Sequence, residues 1–203
     1  MRSKKAVINI IMMLLLQIIA IIYGFIIPKI IITSFGSKVN GLVSSITQFL
    51  AYITLLESGV GPVIKASLYK PLANKNKQDI ANIIKASEKF FKTISYIFIA
   101  YLLCLAFIYP LIVSSEFSYF YTLSLIIIIS ISTFAEYYFG MAYRLYLQAE
   151  QKSYIISLIQ IITYVLSVII IIILVKYNCS IHIIKLASGL IFVLRPILQN
   201  IYV

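Results

Sequence analysis

The chain has no tryptophan, one histidine and six acidic residues in 203, so acids, bases and metal ligands are scarce. With His182 alone, no serine has an Asp or His pair in reach, and neither a glycine-rich phosphate loop nor a Walker-type lysine occurs. These gaps argue against an enzyme, an ATP-driven pump, and a bound cofactor or metal. The two cysteines, Cys104 and Cys179, have a spacing that suggests neither a metal site nor a disulfide. Charged residues make up 11% of the chain, against about a quarter in soluble domains, while 62% are hydrophobic. That balance predicts an all-α integral membrane protein. A cleavable signal is not expected, because the apolar run from Val7 is too long and lacks a small-residue exit.

What is present is a series of six apolar segments: Val7–Ile32, Leu42–Ile64, Thr93–Val113, Phe120–Tyr143, Tyr154–Val175 and Ile183–Val203. Each is long enough to span a bilayer, and none alternates as a strand would. The net charge of +11 would suggest nucleic acid in a soluble chain. Here the lysines lie between apolar runs and no nucleic-acid module is visible, so they report orientation instead. Placing the N-terminus, loop 65–92, loop 144–153 and Arg195 on the cytoplasmic side leaves only Lys29, Lys38, Lys176 and Lys185 of the 17 basic residues outside. Both termini are therefore expected in the cytoplasm, with tyrosines supplying most of the interfacial aromatic belt. The second half of loop 65–92, opening at Asp79, is expected to form an interfacial helix on the anionic leaflet.

Several spans carry polar stripes that plain lipid contact does not need. Thr47, Thr54, Ser58 and Gly61 share one face of the second span, whose end Gly59, Gly61 and Pro62 should break before a lysine-rich segment. Ser130, Thr133, Tyr137, Gly140 and Arg144 mark the fourth span, and Ser153, Ser157, Gln160, Tyr164 and Ser167 the fifth. At helical spacing both stripes point inward. Gln17, Gly24 and Pro28 lie on a face of the first span that suits either packing or cavity lining, and Lys29 follows near the outer surface. On helical rise, Glu57 and Glu136 both lie about 24 Å below that surface, with Arg195 about 4 Å shallower. A buried guanidinium level with two carboxylates is either a structural charge cluster or a substrate and proton site, and pairing of Arg195 with Glu57 or Glu136 is expected.

The segments FGSKVNGLVSSITQFL, LLESGVGPVIKASLYKPLA, FAEYYFGMAYRLYLQAEQKSYI and IFVLRPILQNIYV resemble bacterial polysaccharide flippases. These are the O-antigen and capsule repeat-unit exporters of the MATE-like superfamily. Such proteins have two six-helix lobes, and this chain looks like the N-terminal lobe alone. The resemblance implies a location in the bacterial cytoplasmic membrane and a cavity closed by a C-terminal lobe or a second copy of the chain. It also implies outward transport of an undecaprenyl-diphosphate-linked oligosaccharide by alternating access. By depth and face, Lys29, Arg144, Lys185 and Arg195 are candidates to hold the diphosphate, with Glu57 and Glu136 as charge partners or proton carriers. A multidrug or cation exchanger of the same superfamily, and a truncated non-transporting component of a polysaccharide assembly complex, are the alternative readings.

Overall fold

The computed structural model describes residues 2–203, and the described chain is helical almost throughout, with no strand. It comprises α1 (Arg2–Phe35), α2 (Ser37–Ala51), α3 (Thr54–Glu57), α4 (Val60–Ala73), α5 (Lys77–Ile112), α6 (Tyr119–Ala135), a widened π-turn (Glu136–Gly140), α7 (Met141–Ala149), α8 (Ser153–Lys176) and α9 (Ile181–Tyr202). Five helices are long and apolar enough to cross a membrane: α1, α5, the run from α6 through the π-turn to α7, α8 and α9.

Helix ends follow local chemistry. Gly36 separates α1 from α2 at φ 88, a conformation that a side chain would oppose. Three other helices end in one shared way, with Lys75, Gln151 and Asn178 in the left-handed region at φ 54, 59 and 53. At each, the following N–H reaches back five residues: Asn76 to Pro71 O (3.0 Å), Lys152 to Leu147 O (2.8 Å) and Cys179 to Leu174 O (3.0 Å). This pattern satisfies carbonyls that a helix end leaves open.

Side-chain contacts assign the turns to two ends. Lys38 Nζ lies 3.1 Å from Glu116 Oε1, and His182 Nε2 donates to Tyr121 O at 3.1 Å. The turns after α1, α5 and α8 therefore share one end, the hairpin end. Asn9 Nδ2 donates to Gln151 O at 3.0 Å, and Asn9 Oδ1 accepts from Tyr154 N at 2.8 Å. Lys152 Nζ is 5.4 Å from the centre of the Tyr202 ring. The start of α1, the α7–α8 turn and the end of α9 thus share the opposite, terminal end. Between these ends α1 packs on α8, α9 sits against both α6 and α8, and α5 lies on α6. Ile46, Phe98, Leu125, Ile126 and Ile184 are sealed inside. Much of the α1 surface is bare by contrast, Phe25 being 75% exposed.

Two local expectations are corrected. The segment Leu42–Ile64 does break just before Pro62, at Ser58–Gly59, but it is not one helix up to that point. It bends earlier, at Tyr52–Ile53, where Tyr52 N–H bonds Phe49 O (3.2 Å) and Leu55 N–H bonds Tyr52 O (3.1 Å) in tightened three-residue loops. The hydroxyls of Thr54 and Ser58 bond back to Ala51 O (2.8 Å) and Leu55 O (3.0 Å), a pattern that bends helices. Pro62 falls in the first turn of α4, where its missing N–H costs nothing, and the helix continues through Lys65 and Lys70 to Ala73.

The interfacial helix at 79–92 is also absent. The loop assigned to 65–92 shrinks to Asn74–Asn76, and residues 77–112 form one helix about 54 Å long on helical rise. Asn76 is its cap: Asn76 Oδ1 accepts from Asp79 N at 3.2 Å, and its Nδ2 donates to Asp79 Oδ2 at 2.7 Å. The expected membrane-facing side instead meets protein. Phe91 and Ser87 are buried, the Tyr143 hydroxyl donates to Glu88, and Lys92 Nζ lies 5.5 Å from the Tyr138 ring centre.

Candidate functional site

The polar stripes converge on a cavity of about 310 Å³ inside the bundle. Its walls come from α2–α3 (Thr47, Thr54, Glu57), the α6–α7 run (Thr133, Glu136, Tyr137, Arg144), α8 (Gln160) and α9 (Phe192, Arg195). The depth match read from helical rise is therefore realised: Glu57, Glu136 and Arg195 line one space, with Arg144 beside them.

The expected pairing is not. Arg195 forms no ion pair with either carboxylate among the described residues. Glu136 Oε1 lies 3.1 Å from Arg144 Nη1, with both side chains half-buried. Glu57 Oε2 accepts from the Tyr137 hydroxyl at 2.9 Å. Eight residues apart, Glu136 and Arg144 would be about 80° out of register on a regular α-helix. The π-turn at 136–140 takes up roughly that angle and brings them onto one side. Each acid is thus matched within its own neighbourhood before Arg195 is considered.

Arg195 is held by α8 and by its own helix. Its Nε donates to Thr163 Oγ1 at 2.7 Å. The guanidinium carbon lies 4.6 Å from the centre of the Tyr164 ring and 4.1 Å from that of Phe192. These rings favour a cation over their faces. Tyr164 is in turn packed on Tyr23 of α1 at 4.7 Å between ring centres, and the Tyr23 hydroxyl lies 3.3 Å from Ser167 Oγ. The whole aromatic support is therefore fixed across three helices. Arg195 Nη2 is buried and has no partner. An immobilised guanidinium with donors left over can donate to an oxyanion.

Lys29 and Lys185 do not join this site. Lys29 is exposed beyond Pro28, and Lys185 is half-buried one turn past His182 near the hairpin end. Gln160 lines the cavity, Gln17 and Gln48 are exposed, and Gln199 is buried with both amide atoms unpartnered. Thr163 was missed from the sequence; the signal was a hydroxyl beside Tyr164 and three residues past Gln160, next to the polar stripe of α8. The two cysteines are free.

The fold and cavity define an all-helical protein with several helices fit to cross a membrane and a polar, charged interior. The chain matches no family model, no curated protein and no solved structure.

Proposed function

We propose that the chain is a six-helix lobe of a flippase for a lipid-linked oligosaccharide, with α2–α4 forming the sixth, bent span. The observation that carries this reading is Arg195: a guanidinium that lines the polar cavity, is fixed by Thr163, Tyr164 and Phe192, and keeps a buried Nη2 without a partner. A diphosphate fits such a donor, and rings with amides such as Gln160 suit sugar hydroxyls, while Arg144 on the same wall is already paired with Glu136. The exposed glutamines Gln17 and Gln48 support a second lobe or a second copy covering an open face, since polar surface is costly against lipid. Reconstituted in nanodiscs, the chain should bind a polyprenyl-diphosphate oligosaccharide, with displacement by inorganic diphosphate. Glu57 and Glu136 in the same cavity favour the cation-exchanger reading instead. Binding of an amphiphilic cation that disappears in Glu57→Gln, without any binding of the diphosphate lipid, would establish that alternative.

The lysine bias further supports an orientation with the terminal end in the bacterial cytoplasm. In a Cys104→Ser, Cys179→Ser background, an impermeant thiol reagent added outside should label cysteines at Ser37 and Ser118. It should miss those at Asn76 and Gln151. The reverse pattern would invert the topology.

A further inference from the structure

A second and larger cavity, about 730 Å³, opens at the terminal end, away from the central site. Its rim carries Lys5 from α1, Lys75 from the α4–α5 turn and Lys77 from the first turn of α5. Three separate stretches of chain thus bring ammonium groups to one cleft, and none of the three makes an ion pair among the described residues. Leu72, Ala73 and Ile80 give the cleft an apolar floor, and the Tyr69 and Tyr146 rings flank it. The one acid on the wall, Glu150, is paired through one oxygen: its Oε1 lies 2.8 Å from Lys152 Nζ, and its buried Oε2 has no partner. That carboxylate raises the Lys152 ammonium above the ordinary lysine range. The cleft is left with an excess of positive charge over an apolar base.

We propose that this cleft binds the phosphate-bearing headgroup of an anionic membrane phospholipid as a discrete site. The argument for a lipid over a soluble phosphate is position. Lys5 stands less than one turn from Val7 and Ile8, which begin the bare apolar surface of α1 at 53% and 47% exposure. A ligand seated on the three lysines can therefore lay its acyl chains along α1. Lysines near an anionic leaflet attract such headgroups, and the backbone fixes where these three converge. The proposal needs the bundle to sit in a bilayer but is independent of flippase activity, so a chain that binds no polyprenyl diphosphate still tests it.

The experiment compares two triple variants of equal charge change by native mass spectrometry of the full chain from phosphatidylglycerol–phosphatidylcholine nanodiscs. The first removes the cleft lysines by Lys5→Gln, Lys75→Asn and Lys77→Gln; asparagine tolerates the left-handed backbone at position 75. The second removes Lys70, Lys85 and Lys89, exposed at the same end but outside the cleft. The wild type and the second variant should keep a one-to-one phosphatidylglycerol adduct, which the first should lose by about tenfold or more. Equal loss in both variants would mean diffuse surface attraction and overturn the site. Displacement of the adduct by glycerol phosphate at similar concentration would overturn the lipid assignment in favour of a soluble phosphate.

Discussion

Replacing Arg195 by Met should weaken anion binding in the central cavity by roughly 10–100-fold while leaving most of the folded yield. The reason is a near balance of large terms. A charged arginine at mid-helix in a membrane costs about 2.5–3.5 kcal/mol on insertion scales. Against this stand its hydrogen bond to Thr163, about 1.5–3 kcal/mol for a charged donor, and its place over Tyr164 and Phe192, about 2 kcal/mol when desolvated. Methionine removes both sets of terms together and refills part of the volume, so stability should fall by no more than about 2 kcal/mol. Binding is different, because the ligand loses its charged donor altogether. A charge-assisted contact of about 1.5–3 kcal/mol corresponds to roughly a 10–100-fold loss of affinity. Arg195→Lys should not restore it: a flexible ammonium has neither the fork for a diphosphate nor the planar stack on the two rings. A sharp fall in folded yield for Arg195→Met, rescued by Glu57→Gln or Glu136→Gln, would instead return Arg195 to a structural ion pair. Binding left intact in Arg195→Met would remove it from the site.

How far the sequence carried this site is clearest at those three charges. Composition and run length were enough for an all-helical bundle with helices long and apolar enough to cross a membrane. Helical rise alone placed Glu57, Glu136 and Arg195 at one level, and all three line the same cavity. Level does not fix azimuth, however, and pairing depends on azimuth. The π-turn at 136–140 rotates Arg144 onto Glu136, and nothing in EYYFG announces a widened turn. The bend at Tyr52–Ile53 was hidden for a similar reason: it comes from hydroxyls bonding back to carbonyls, whereas Gly59 and Pro62 pointed only to the second break, at Ser58–Gly59. For α5 the amphipathic pattern was genuine. What the pattern could not say was whether its apolar face meets lipid or α7, and tertiary packing decided that.

Gly140→Ala should be the most damaging single-methyl change in the chain. Gly140 closes the π-turn and is buried directly against α9. A β-carbon built there would stand 2.5 Å from Pro196 Cβ and 3.0 Å from Pro196 Cα. Neither atom can swing aside, since one is backbone and the other belongs to a closed ring, so the two helices must separate. Small residues permit this kind of approach in helix bundles, and overpacking a fitted contact costs about 1–3 kcal/mol. The damage extends to function, because α9 carries Phe192 and Arg195 on the turn before Pro196, and Glu136 opens the π-turn that Gly140 closes. Shifting α9 outward moves the guanidinium relative to the Glu136–Arg144 pair. Gly140→Ala should therefore lower both the melting temperature and anion affinity, and Gly140→Leu should fail to accumulate. Adding Pro196→Gly, which deletes the nearest clashing atom, should recover part of the loss, whereas Pro196→Ala, which keeps its Cβ, should not. Gly24 and Gly41 provide the contrast: a β-carbon at either meets nothing within 4 Å. Alanine there should be neutral or should stabilise the helix by up to about 1 kcal/mol. If Gly140→Ala melts with Gly41→Ala, the close packing of α9 on the π-turn is wrong, and with it the rigid placement of Arg195.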